Sequence, residues 1–206
     1  MKSEFEGYLK QCPIIAILRG LTPDNCIEIG EVLYENGVRI MEVPLNSPSP
    51  FESIRKMVKH FQGKALIGAG TVLVPEDVEK LSQVGGRIVI SPNFNPDVGM
   101  KAKQLNMLWL PGVMTPTEGF TALSKGADGL KLFPSEMITP TVLKAWISVF
   151  SARTNLIPVG GVGADNAKMY MEIGACGLGI GGSIYKPADT VSTVHAKVSN
   201  IIKSLD

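Results

Sequence analysis

The sequence predicts an α/β fold, a (β/α)8 TIM barrel with a short N-terminal helix, and three observations predict it. Eight short apolar runs recur along the 206 residues, their starts about 20 to 27 residues apart, which is room for one strand, two turns and one helix each. The runs are near-continuously apolar, as strands of a parallel sheet covered on its outer face are. The segments between them carry helix punctuation, and no linker or composition break divides them, so residues 1–206 read as one domain.

Taken in order, residues 2–11 read as a short leading helix able to plug the barrel bottom. The strands follow at Ile14 to Leu18, Ile40 to Leu45, Ala65 to Val72, Arg87 to Ser91, Met107 to Val113, Gly129 to Phe133, Leu156 to Val162 and Gly177 to Gly181. After the first strand, Thr22 is an expected N-cap with Pro23 at the first helical position of a helix running to Tyr34. Pro75 to Leu81 and Thr115 to Phe120 open the same way. Gly37, Gly85, Gly126 and Gly174 close helices just before the next strand.

Composition excludes several classes. Hydrophobic residues make up 45% and charged residues 19%, the balance of an ordinary globular protein. A net charge of +1 gives no electrostatic case for a nucleic-acid or membrane partner. No apolar stretch approaches the roughly 18 residues of a spanning helix, and the charged N-terminus lacks a secretory signal's apolar core. Cys12, Cys26 and Cys176 fit packed thiols in a reducing cytosol, and two scattered histidines make a protein metal site improbable.

The most informative residue is Lys131, inside the apolar run Gly129-Leu130-Lys131-Leu132-Phe133-Pro134. Alone, a strand-end lysine usually snorkels to solvent. A buried ammonium is costly and tends to lose its proton, and the resulting amine is a nucleophile toward carbonyl carbon. Glu42 is embedded in apolar strand sequence in the same way, and a shared cavity at the C-terminal barrel mouth explains both charges at once. A structural ion pair is the competing explanation. The other strand ends supply Arg19, Thr71, Pro92 and Phe133, with glycine-rich ends at Gly160-Gly161 and Gly181-Gly182-Ser183. Such ends on the last two strands bind phosphate through backbone N–H groups in many barrels. Arg19 and the Thr71 hydroxyl suit a substrate carboxylate, although Arg19 serves a phosphate equally well. Gly177-Leu178-Gly179-Ile180-Gly181-Gly182 lacks dinucleotide-fingerprint spacing, and Gly68-Ala69-Gly70 reads as close backbone packing. Trp109 and Trp146 read as core.

From Ile14 to Tyr185 the chain resembles the bacterial 2-keto-3-deoxy-6-phosphogluconate (KDPG) and -galactonate aldolase family. The resemblance rests on Ile17-Leu18-Arg19-Gly20, Glu42-Val43-Pro44-Leu45-Asn46-Ser47-Pro48, Ile67-Gly68-Ala69-Gly70-Thr71-Val72, Ile90-Ser91-Pro92-Asn93, Leu130-Lys131-Leu132-Phe133-Pro134 and Gly160-Gly161-Val162. It implies a class I aldolase that is cofactor-free, metal-independent, cytoplasmic and homotrimeric. The Schiff base would form on Lys131 and Glu42 would shuttle protons. Arg19, Thr71 and the glycines before Val162 and at Ser183 would bind substrate. Gluconate-type members carry arginine and threonine where this chain has Asn46 and Val159, so the pattern resembles the galactonate branch. The implied partners are a phosphorylated keto-deoxy sugar acid, pyruvate and glyceraldehyde 3-phosphate. The gluconate epimer, and a non-covalent phosphosugar isomerase on the same barrel, are the alternatives.

Overall fold

The computed structural model describes residues 1–205. Nine parallel strands and nine helices alternate among them, beginning with α1 (Lys2–Gln11). The strands are β1 (Ile14–Ile17), β2 (Ile40–Pro44), β3 (Leu66–Gly70), β4 (Ile88–Ile90), β5 (Leu108–Leu110), β6 (Gly112–Val113), β7 (Leu130–Leu132), β8 (Leu156–Pro158) and β9 (Leu178–Ile180). They form a six-stranded sheet, β5-β4-β3-β2-β1-β9, and a three-stranded sheet, β6-β7-β8. A bridge between Val159 and Gly179 connects the second sheet to the first.

Where one strand was expected from Met107 to Val113, there are two. Pro111 lies between β5 and β6; it has no N–H to donate, and the ladder breaks there. Its carbonyl still accepts from Lys131 N, at 3.0 Å, so the chain keeps its parallel course beside β7.

Strand alternation sorts the apolar residues into two clusters. One side of the sheet holds Ile15, Ile17, Ile40, Leu66, Ile88, Ile90, Leu108, Leu110, Ile157 and Val159. Their sequence neighbours, such as Ile14, Ala16, Met41 and Val89, join the larger cluster beneath the helices. Phe5 and Leu9 of α1 pack into the first cluster, so the leading helix does close the N-terminal end of the inner face. Phe5 is fully buried, and Phe5→Ala is expected to destabilise the fold by about 3–5 kcal/mol, measurable by urea unfolding.

Helix ends follow the sequence signals, with one correction. Thr115 caps α6 (Pro116–Ser124) and forms a capping box with Glu118, and α4 (Pro75–Gln83) begins on its proline. Gly37, Gly85, Gly126 and Gly174 all take left-handed φ after their helices. However, Thr22 is not an N-cap: α2 spans Cys26–Glu35 with Asn25 before it. The Asn25 side-chain oxygen accepts from both the N–H and the hydroxyl of Thr22, each at 3.0 Å, which closes a turn where the helix was expected to start. Both tryptophans are buried. No helix among the described residues is long and apolar enough to cross a membrane.

Candidate active site

The inner face changes character toward the C-terminal strand ends. There Glu42 on β2 and Lys131 on β7 replace the aliphatic side chains, and they are 1% and 6% exposed. Register aligns Glu42 with Ile17 on one side and with Gly68 on the other, and aligns Lys131 with Gly112 and Ile157. The small residues opposite them make room. A Cβ on Gly70 would collide with both carboxylate oxygens of Glu42, so glycine at the end of β3 is a steric requirement of the acid. At Gly68 an added Cβ would meet the Ile88 carbonyl, as expected of close backbone packing.

Burial sets the electrostatics. It pushes the Glu42 carboxyl from 4.5 up to about 7, against the opposing pull of the Lys131 and Arg19 charges and a hydrogen bond from the Gly70 backbone. One of its oxygens, Oε2, has no protein partner. Burial likewise drives the Lys131 amine below its ordinary value; Glu42 opposes that shift and Arg19 reinforces it. Lys131 Nζ also lies 4.8 Å from the centre of the Phe133 ring. A basic carboxyl thus sits within electrostatic reach of an amine that sheds its proton readily, the pairing that amine addition and proton transfer at neutral pH require.

A cavity of about 640 Å³ opens above Lys131. Arg19, Phe133, Gly160, Gly161, Gly181, Gly182 and Ser183 line it, so seven of the binding residues expected from sequence share one space with the lysine. Gly160 and Gly161 both have left-handed φ, 102° and 64°, a conformation that glycine adopts without strain. Ser135 holds this turn, its N–H donating to the Val159 carbonyl at 2.8 Å and its hydroxyl to that of Gly160. Tyr170 in turn donates to the Ser135 carbonyl at 3.0 Å.

Glu42, Thr71 and Pro92 are not on the cavity wall. Glu42 is buried and coupled electrostatically to Lys131. Thr71 follows directly on β3 with φ 56°, an unfavourable conformation for a β-branched residue and the kind of strain that concentrates at functional sites. Pro92 packs its backbone carbonyl against Gly112 instead.

Sequence reasoning missed the groups that hold Arg19 and those that complete the far wall. Arg19 Nη1 donates to Asn46 Oδ1 at 2.7 Å, and Gly20 N donates to Ser47 Oγ at 2.9 Å, so the loop after β2 fixes the loop after β1. Tyr185, Lys186 and Pro187 line the cavity from the segment after Ser183. The available signal was their position immediately past the glycine-rich end of β9. Among the described residues no cluster of three or more His, Cys, Asp or Glu side chains could hold a metal ion.

The arrangement has close counterparts. A Rhizobium meliloti (strain 1021) protein named "Probable 2-dehydro-3-deoxy-6-phosphogalactonate aldolase" is 41% identical over 94% of this chain and 92% of its own. The Escherichia coli (strain K12) "2-dehydro-3-deoxy-6-phosphogalactonate aldolase" is 38% identical over 93% of this chain and 94% of its own. A solved structure, "Native KDPGal structure", superposes with a TM-score of 0.92 at 37% identity, covering 94% of each chain. The profile of the "KDPG and KHG aldolase" family matches residues 5–201, and the chain belongs to that family.

Proposed function

We propose that the protein is a class I aldolase, a lyase that cleaves 2-dehydro-3-deoxy-6-phosphogalactonate to pyruvate and glyceraldehyde 3-phosphate. One observation carries the reading: a buried amine of lowered basicity lines the cavity and is coupled to a buried carboxyl poised at about 7. The names of the two relatives supply the substrate.

In this mechanism the neutral amine of Lys131 adds to the C2 ketone, and loss of water gives an iminium. Removal of the C4 hydroxyl proton breaks the C3–C4 bond, releasing the aldehyde and leaving an enamine on Lys131. Protonation at C3 and hydrolysis then free pyruvate and restore the amine. Glu42 moves these protons, directly or through one water, because a group titrating at about 7 both accepts and donates at neutral pH. Arg19 and Thr71 hold anionic or hydroxyl groups of the substrate, Phe133 shapes the mouth, and Gly160, Gly161, Gly181, Gly182 and Ser183 receive the phosphate. We further infer a closed (β/α)8 barrel in which β5 and β6 act as one strand. We also infer a homotrimeric assembly, cytoplasmic and without a cofactor; exposed Leu73, Val74, Met114 and Phe120 support an interface between copies.

The hydrogen bond from Arg19 to Asn46 gives one expected outcome. Asn46→Ala releases the guanidinium, and KM is expected to rise about tenfold with little change in kcat, as steady-state kinetics would record. The test of the whole reading is incubation with pyruvate and borohydride, followed by peptide mass spectrometry. A reduced pyruvyl adduct on Lys131 supports it; a folded protein that traps nothing overturns the covalent mechanism and favours the isomerase alternative.

A further inference from the structure

Three charged side chains line the cavity, Arg19, Lys131 and Lys186, and all three are cations. No carboxylate is among the lining residues, although Glu136 packs against Gly160 and Gly161. The substrate proposed above carries a carboxylate at one end and a phosphate at the other, and Lys131 is consumed by the carbonyl during reaction. Two cations therefore remain for two anionic ends, and the structure distinguishes them. The charge of Arg19 acts on both Glu42 and Lys131, so the guanidinium belongs with the carbon that reacts. Lys186 enters the wall from the segment past Ser183, and Asp189 is a neighbour that feels its charge.

Lys186 is anchored by its backbone and free at its tip. Its N–H donates to Asp189 Oδ2 at 2.7 Å, and the same oxygen is held by Lys197 Nζ at 2.5 Å. Pro187 packs against Gly20, whose missing Cβ leaves space for the proline ring, and this contact ties the Lys186 loop to the Arg19 loop. The lysine stem runs past Gly182, where an added Cβ would lie 3.7 Å from Lys186 Cε. Lys186 takes part in none of the ion pairs among the described residues.

We propose that Lys186 is a phosphate-binding residue of this site, its ammonium closing over Gly182 and Ser183 to grip the phosphate end of the substrate, while Arg19 serves the carboxylate end. The inference rests on the aldolase reading for the substrate's identity. It makes Lys186 the residue that selects phosphorylated over unphosphorylated sugar acids. A charge-assisted contact of this kind changes affinity by about 10- to 100-fold.

The experiment compares wild type, Lys186→Met and Lys186→Arg in two ways. Calorimetry measures binding of glycerol 3-phosphate, a non-reacting mimic of the aldehyde end. Kinetics measure kcat/KM for the 6-phosphorylated substrate relative to its unphosphorylated counterpart. Lys186→Met is expected to weaken glycerol 3-phosphate binding and to lower the selectivity ratio, each about 10- to 100-fold, and Lys186→Arg to recover most of both. Wild-type values in Lys186→Met would overturn the assignment. Failure of wild type to cleave either sugar acid or to trap pyruvate would instead strike the aldolase reading, and the binding arm would still decide the role of Lys186.

Discussion

Lys131→Met is expected to lower kcat by at least about 10⁴-fold and to abolish borohydride trapping of pyruvate, the larger of the two strongest effects. Methionine matches the length and packing of the lysine stem at a site only 6% exposed, so the loss would reflect the missing amine rather than a collapsed wall. Arginine would not substitute, because its guanidinium keeps its charge and cannot present a free amine. The variant carries a second signature. Lys131 is the largest influence holding the Glu42 carboxyl down against its own burial, so removing it should send Glu42 still higher than about 7. Infrared titration of the carboxyl band would show this; a Glu42 that titrates as before would mean that the two groups are not neighbours in solution.

Glu42→Gln is expected to reduce kcat by about 10²- to 10⁴-fold while leaving the Lys131 adduct trappable, since addition of the amine needs less from the acid than proton transfer at C3 and C4. The same change should alter stability in a pH-dependent way, and the sign follows from the raised carboxyl. Folded Glu42 keeps its proton up to about 7, whereas the unfolded chain releases it near 4.5. The folded state therefore binds more protons between those values, and wild-type stability falls as pH rises through that window. At about 1.4 kcal/mol per pH unit, the span amounts to about 3 kcal/mol. Glutamine does not titrate, so its advantage over wild type should grow between about pH 4.5 and pH 7 and level off above. Urea unfolding across that range would measure it. A gap that stays flat with pH would show that the buried carboxyl does not titrate as its surroundings require.

These expectations rest on residues that were legible in sequence for a simple reason. Lys131 and Glu42 each interrupt an apolar run, and a charge in such a place is too costly to be incidental. The glycine-rich ends after β8 and β9 were legible because backbone freedom is a property of the residue itself. The same held for the helix opening at Thr115-Pro116, since its capping contact lies within one helical turn. What escaped were relations between distant segments. Asn46 stood out in sequence only as a departure from the gluconate pattern, and its hold on Arg19 across 27 positions was not visible there. Lys186 is one exposed lysine among several until its loop is found leaning on Gly20. The break at Pro111 depended on a competition between apolar pattern and hydrogen-bond chemistry, and the proline decided it. The start of α2 was lost to Asn25, whose side chain closes a turn that the pattern Thr22-Pro23 did not reveal.

The pairing of β1 with β9, Ile14 beside Leu178, has a consequence in time. All the other strands lie between these two in the chain, so β1 is made long before its partner. At a synthesis rate of about 5–20 residues per second, one edge of β1 waits on the order of ten seconds for that partner. During the wait Glu42 and Lys131 can both be present, but the wall formed by Gly181, Gly182, Ser183 and Lys186 does not yet exist. Closing this one pair requires a contact of very long sequence separation, which slows that step and leaves a strand edge open to other chains. Growing chains should therefore lean on chaperones until β9 is out, and the cavity should arise late and all at once.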